Sequence, residues 1–155
     1  MQLNNKNRME NNNMSDLTAF LKQNIIEVEN IKYVASKRIL DKEEKPEKWE
    51  LRAITSKEDD DIIKSCTKRV PVPGKKGQFM AETDQTKYVA EMCAKSIIYP
   101  NLNDKVVQDS FGVMCATDLL KEMLTPGEYT ELSKKITELN GYDMSFEEKV
   151  EEAKN

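Results

Sequence analysis

The sequence contains no histidine among its 155 residues, and this absence disfavours several kinds of function. Histidine is the usual general base near neutral pH, the common partner of serine and cysteine nucleophiles, and a frequent metal ligand. The chain has three cysteines, Cys66, Cys93 and Cys115, without a CxxC pair. This pattern indicates neither a disulfide framework nor a zinc site. We therefore expect three buried free thiols, no cofactor and no enzyme activity.

Long apolar runs are also missing. No stretch approaches the ~18 uninterrupted apolar residues that a membrane span requires, and none near the start has the shape of a secretory signal. Hydrophobic residues make up 38% of the chain and charged residues 34%, with 24 basic and 28 acidic side chains and a formal net charge of −4. These values predict a mildly acidic cytosolic protein with a single domain and a modest core.

Residues 1–13 differ in composition from the rest, because six of them are Asn and few are apolar. Such a composition cannot offset its own ordering entropy, so we predict a disordered leader followed by one domain over residues 14–155. Met14 also resembles a natural translation start, since Met9 and Glu10 must be encoded by a purine-rich string similar to a ribosome-binding site. The alternative is that the first thirteen residues are a flexible extension.

The domain is predicted to begin with a helix. Ser15 is a suitable N-cap, and Leu17, Phe20 and Leu21 recur at the spacing of one helix face.

Two stretches then show strand patterns. Residues 31–36 and 49–55 partly alternate apolar and polar side chains, and a charged stretch around Pro46 separates them. We predict an antiparallel hairpin with a solvated loop. Residues 71–79 contain two prolines and two glycines, which fits either a loop or a small second hairpin.

The remainder is predicted to be mostly helical. Overlapping capping-box patterns at Thr55 and Ser56 begin a short helix with Ile62, Ile63 and Cys66 on its buried side. The fold class is thus α+β, an N-terminal helix and antiparallel hairpins followed by a mostly helical C-terminal half. The later helices are predicted from Asp84 to before Pro100, across residues 101–112 and 116–124, from Thr125 to Asn140, and over the acidic residues 144–155. The last of these either swings as a mobile arm that contacts a partner or docks on its own domain, and periodicity does not choose between the two.

Two charged features of the sequence have the residue types of a metal or anion site. The consecutive acids Asp59 to Asp61 fan out around a helix and so do not converge on a metal ion. The stretch 64–76 holds five basic residues and no acid. It fits a solvated face, an acidic protein partner or nucleic acid, although Phe79 is the one nearby aromatic side chain for base stacking.

Six short strings occur in order along the chain: ASKRI from Ala35, WELRAIT from Trp49, YPNLND from Tyr99, QDSFGVM from Gln108, LLKEMLTPGEY from Leu119 and NGYD from Asn140. Taken together, they resemble the XkdN-like tail assembly chaperone family of PBSX-type prophages, contractile-tailed phages and phage-tail-like bacteriocins. The resemblance extends from about Met14 to Asn155. It carries no catalytic motif.

The resemblance implies a non-enzymatic protein that acts in the host bacterial cytoplasm and is absent from the mature particle. Such proteins bind the tape measure protein, keep it soluble and help recruit tail tube subunits. Families of this kind commonly make a longer form by a backward ribosomal frameshift, so the resemblance implies such a product. The codons of Ala153 to Asn155 can contain a slippery string, and the alternative is that an AT-rich genome produces such a string by chance. A weak homo-oligomer is a further candidate state.

Several side chains are candidates for partner contact, although each fits a core or solvated position equally well, Trp49 above all. The alternative function is a prophage regulatory or nucleic-acid-associated protein that uses residues 64–76. The two functions differ in salt response, since phosphate binding weakens steeply as salt rises and apolar helix capture does not. The candidate contact residues are Trp49, Arg52, Phe111, Met114, Tyr129, Phe146 and Val150.

Overall fold

Capping side chains begin four of the five α-helices within residues 17–142, the part of the chain that this computed structural model describes. Thr55 and Thr125 each form a capping box, in which the threonine hydroxyl accepts from the N–H of Glu58 or Glu128 and that glutamate accepts from the threonine N–H. The predicted helix starts are confirmed at both positions. The helices are α1 (Ser56–Ser65), α2 (Gln85–Ser96), α3 (Lys105–Ser110), α4 (Ala116–Met123) and α5 (Pro126–Leu139).

The strands pair in two antiparallel sheets within the described residues. The first sheet has the order β1-β2-β5 and the second is the pair β3-β4. The predicted hairpin of the first two strands is confirmed, with Tyr33 opposite Trp49. Residues 71–79 adopt the hairpin alternative and connect β3 to β4. The strands are β1 (Ile31–Tyr33), β2 (Trp49–Leu51), β3 (Thr67–Pro71), β4 (Phe79–Thr83) and β5 (Ile97–Tyr99).

Strand β5 replaces what the sequence reading treated as the end of a helix. Helix α2 stops at Ser96, and β5 continues directly from it with Ile97 opposite Leu51. The backbone carbonyl of Ser96 accepts a hydrogen bond from the N–H of Arg52 at 2.8 Å. The free edge of β2 offers backbone groups that need partners, and this non-local demand ends the helix early.

The core is formed by one face of the three-stranded sheet and by helices α2, α4 and α5. Trp49 and Leu51 point to the same side of β2, as alternation in a strand requires, and both are buried. The stripe predicted for α5 is confirmed at Leu132 and Ile136, which are fully buried. The buried core also contains Ala35, Met92, Cys93, Ile97, Leu102, Leu119, Leu120 and Leu124.

Two burial predictions are wrong. Cys115 is exposed, because it lies at the N-cap of α4, where the chain turns away from the core. Ile63 is also exposed, since it follows Ile62 on α1 and the next position on a helix points to a different side.

The N-terminal helix is seen in part. Leu17 and Thr18 have helical backbone, and a short 3-10 helix follows at Lys22–Asn24. The predicted cap Ser15, the leader 1–13, the start at Met14 and the terminal helix 144–155 lie outside the described residues. The class as a whole is α+β with a helical C-terminal half, as predicted. No helix within residues 17–142 is long and apolar enough to cross a membrane.

Candidate partner-binding surfaces

Residues 17–28 carry exposed large apolar side chains and are called the apolar segment below. The backbone of this segment satisfies part of its hydrogen bonding locally, since the N–H of Phe20 reaches the carbonyl of Leu17 at 3.1 Å and the N–H of Asn24 reaches that of Leu21 at 2.8 Å. Its apolar side chains do not join the buried core. The exposed fractions are 69% for Leu17, 75% for Phe20, 47% for Leu21, 55% for Ile25, 95% for Ile26 and 62% for Val28.

A second exposed apolar group lies around α3. Val106 is 78% exposed, and the predicted contact residues Phe111 and Met114 are 43% and 94% exposed. Phe111 is the C-cap of α3, and Gly112 follows with φ at +67°, a left-handed conformation that glycine adopts without a Cβ clash. This turn sends the chain away from the helix before Met114. The two predicted residues are thus available to a partner.

The other predicted contact residues have different surroundings. Trp49 is 1% exposed and belongs to the core. Tyr129 is partly buried against that core, and burial raises the pKa of its hydroxyl. Arg52 donates two hydrogen bonds to the carboxylate of Glu58, at 2.8 and 3.1 Å. Phe146 and Val150 fall outside the described residues, so the structure places neither.

An open groove of about 320 Å³ lies between α1 and α2. Apolar Ile62 and Ala94 line it, together with acidic Glu58, Asp61 and Glu91 and basic Lys95. No group of three or more Cys, Asp or Glu side chains in residues 17–142 is placed to hold a metal ion. The groove therefore offers a concave surface with net negative charge to a partner's side chain.

The acidic run at the start of α1 is engaged in structural contacts. The hydroxyl of Tyr88 donates a hydrogen bond to the carboxylate of Asp59, and the hydroxyl of Tyr142 lies 3.5 Å from the same carboxylate. Burial and, next, the bond to Asp59 raise the pKa of Tyr88. Asp59 thus joins α2 and the chain after α5 to α1.

The basic stretch 64–76 occupies the end of α1 and the β3-β4 hairpin. Lys64, Lys68, Lys75 and Lys76 are all exposed. Arg69 lies over the ring of Phe79, with its guanidinium carbon 5.5 Å from the ring centroid. Such a contact is a cation–π interaction, and it leaves the guanidinium edge open to an anion.

Ile25, Ile26 and Val28 were missed as contact residues by the sequence analysis. Their signal was present, because three large apolar residues fall within four positions and precede a strand of three residues. The alternation of apolar and polar residues in the sequence does not determine which apolar side chains are buried in the core. That depends on the area which the other elements leave uncovered.

Comparison with known proteins identifies the family of this chain. The model of the phage XkdN-like tail assembly chaperone family matches residues 17–154. The chain belongs to this family. The resemblance noted in the sequence is therefore confirmed, and the match includes the whole described domain.

Relatives of the XkdN-like family match over nearly their full length. The phage-like element PBSX protein XkdN of Bacillus subtilis (strain 168) is 32% identical over 146 residues, which cover 94% of this chain and 97% of that protein. The uncharacterized protein YqbN of the same strain is 30% identical over 147 residues, with the same coverage of 94% and 97%. The crystal structure of YqbN aligns with a TM-score of 0.69 at 25% identity and covers 81% of this chain and 95% of that one.

Proposed function

We propose that this protein is a non-enzymatic chaperone that binds the tape measure protein of a phage tail in the host cytoplasm. It keeps that protein soluble, helps to recruit tail tube subunits and is absent from the mature particle. Membership of the XkdN-like family supports the general role. The observation that carries the specific proposal is the apolar segment, residues 17–28, whose large side chains are exposed.

The apolar segment has the chemistry of a contact surface. Contiguous apolar patches are uncommon on monomeric proteins, and the larger ones mark sites that bind a partner or a ligand. Full burial of one large aliphatic or aromatic side chain contributes about 1.5–3 kcal/mol. Lost translational freedom and ordering offset much of that gain on binding. The resulting affinity is moderate, which suits a chaperone that must release its client.

The client implied by the family has matching chemistry. A tape measure protein is long and largely helical, and its apolar stretches aggregate unless they are covered before the tube forms. Leu17, Phe20 and Leu21 are spaced to lie on one side of a helical turn, so they can pack along an apolar helix face. The arriving tube subunits then displace the chaperone and enclose the same face.

Co-expression tests this function. The full chain is produced with the tape measure protein of its source genome, and soluble complex is measured after purification at high salt. The variant Phe20→Ser with Ile26→Ser removes apolar contacts from residues that are 75% and 95% exposed, so we expect it to fold normally and to lose the complex.

A matched control changes two exposed apolar residues elsewhere, Val106→Ser and Met114→Ser. Retention of the complex by this control assigns binding to the apolar segment. Loss of the complex in the control alone would assign the contact to the α3 region, and the proposed function would still hold. A parent protein that elutes alone while the tape measure protein stays insoluble would contradict the function itself.

The longer product belongs to the same proposal. A backward slip of one nucleotide within the codons of Ala153 to Asn155 would add a C-terminal extension that recruits tail tube subunits. The gene sequence is the test, because a last lysine codon of AAG would remove the slippery string.

A further inference from the structure

The basic ribbon, residues 64–83, projects from the domain. Its strands are paired throughout, from Thr67 opposite Thr83 to Pro71 opposite Phe79. None of residues 67–83 belongs to the buried core, whereas Cys66 at its base is buried. The ribbon therefore presents two solvated faces and a tip that contains Lys75 and Lys76.

The positive charges of the ribbon have no counterion within the described residues. Every ion pair between residues 17 and 142 involves other side chains. Glu82 faces Lys68 in the strand register, yet the two form no ion pair. The net charge of the ribbon is positive, and net positive charge on a protruding element attracts an anionic partner. The basic side chains of the ribbon that form no ion pair within residues 17–142 are Lys64, Lys68, Arg69, Lys75 and Lys76.

The C-terminal segment of the same chain has a net charge opposite to that of the ribbon. Residues 143–155 contain five acidic residues and two lysines. They also contain Phe146 and Val150, and the ribbon exposes Phe79 and Met80, at 54% and 48%. Charge and apolar character thus both correspond between the terminal segment and the ribbon.

The point of attachment brings the terminal segment within reach. Its preceding residue, Tyr142, lies beside Asp59 in the first turn of α1, and the ribbon starts where α1 ends. Helix α1 has 10 residues, which corresponds to about 15 Å at the helical rise of 1.5 Å per residue. Thirteen residues span at most about 43–47 Å when extended, so they can reach the ribbon and its tip.

We propose that residues 143–155 bind the basic ribbon of the same chain and cover it. Tethering makes this contact favourable, because a short link raises the effective concentration of the segment although each exposed ion pair contributes little. The contact weakens as salt rises, since exposed charges are screened. This cover keeps a basic surface of an otherwise acidic protein from binding cellular polyanions.

Zero-length carbodiimide crosslinking of the dilute full-length protein tests the contact directly. The reagent joins a lysine amine to a carboxylate that touches it, and mass spectrometry identifies the linked peptides. We expect links between residues 143–155 and Lys68, Lys75 or Lys76, in the monomer and lost at high salt. Equal linkage to Lys42 and Lys48, which are exposed on a different loop, would overturn the proposal, as would linkage in dimers only.

Binding of a fluorescein-labelled oligothymidylate measures the covering. The terminal variant removes four charges from the segment and should bind this polyanion at least about tenfold more tightly than the parent, since phosphate binding depends on net uncovered charge. The control variant removes four charges from exposed acids elsewhere and should change affinity little. The terminal variant is Glu147→Gln, Glu148→Gln, Glu151→Gln and Glu152→Gln, and the control is Glu27→Gln, Glu29→Gln, Glu44→Gln and Glu122→Gln.

Other outcomes of this measurement overturn the proposal. Equal affinity of the terminal variant and the parent would show that the segment does not cover the ribbon. An equal rise in affinity for the oligothymidylate in both variants would show that the effect depends only on the net charge of the protein. Tight, salt-sensitive binding by the parent would instead make the ribbon an open nucleic-acid surface.

Discussion

The side-chain oxygen of Asn140 accepts a hydrogen bond from the backbone N–H of Ile54 at 2.7 Å. Its amide nitrogen donates to the carbonyl of Ile136 at 2.9 Å and to the hydroxyl of Ser96 at 3.3 Å. One side chain therefore joins the end of α5, the end of α2 and the chain that follows β2. The local sequence predicts for Asn140 only a position at the end of a helix, and the junction itself is a tertiary feature.

Replacement of Asn140 tests the importance of this junction. Asn140→Ala leaves the N–H of Ile54 without its acceptor in a partly buried position, so we expect the free energy of unfolding to fall by roughly 1–3 kcal/mol. Urea denaturation followed by circular dichroism measures the change. Asn103→Ala is the control, because that side chain is exposed. Equal stability of the two variants would contradict a structural role for the junction.

The core substitution Leu119→Ala should be severe. Leu119 is 0% exposed and belongs to the cluster shared by the sheet and the helices. Truncation removes transfer free energy and leaves a cavity, for an expected loss of about 2–5 kcal/mol. Leu40→Ala is the matched control, since Leu40 is 52% exposed. The same urea titration checks both, and a small effect at Leu119 would show that the core collapses around the cavity.

Stability should fall in acid because Glu58 and Glu128 have lowered pKa values in the folded protein. The hydrogen bond from Arg52, and next that from the Thr55 backbone, lowers the pKa of Glu58 from 4.5 to about 2. The hydrogen bond from Arg38, at 2.6 Å, is the largest cause that lowers the pKa of Glu128 to about 2. A depressed folded-state pKa gives stability above the unfolded value that is lost as pH falls. The loss should therefore occur from about pH 4.5 to about pH 2.

Thermal unfolding at a series of pH values measures this loss. The double variant Glu58→Gln with Glu128→Gln should unfold at a lower temperature near neutral pH and show a flatter decline in acid. Glu29→Gln, at an exposed position without an ion pair in the described residues, should keep the parent's profile. A double variant with an unchanged acid limb would show that other groups govern it.

The thiols should differ in reactivity. Cys115 is exposed, whereas Cys66 and Cys93 are 2% and 0% exposed. Burial also raises the pKa of Cys93, which lowers its thiolate fraction. Native protein should react rapidly with one equivalent of a disulfide reagent and with the rest only on unfolding. Cys115→Ser should abolish the rapid phase, and a rapid phase that survives would contradict the burial of the other two.

Much of the fold could be predicted because its signals are local. The capping boxes at Thr55 and Thr125 depend on four consecutive residues, and the buried pair Trp49 and Leu51 depends on strand alternation. Strand β5 could not be predicted in this way. Its three residues also fit the end of a helix, and only the pairing partner β2 decides between the two.

The candidate surface was predicted less completely. Phe111 and Met114 are exposed as a contact residue must be, whereas Trp49 belongs to the core. Ile25, Ile26 and Val28 looked like ordinary apolar positions, and their exposure depends on how much area the domain covers. The identity of a single residue does not show how much of its side chain the rest of the domain will cover.

The sequence by itself determined the α+β class, the helix starts at Thr55 and Thr125, the first hairpin and the family, because these follow from spacing and short ordered strings. Tertiary structure decided which apolar side chains remain exposed, that Glu128 pairs with Arg38, and where α2 gives way to β5. The physical reason is that burial, ion pairing and strand addition each join residues far apart in the chain. Local conformational preferences limit which of these contacts are possible, and packing of the whole domain selects among them.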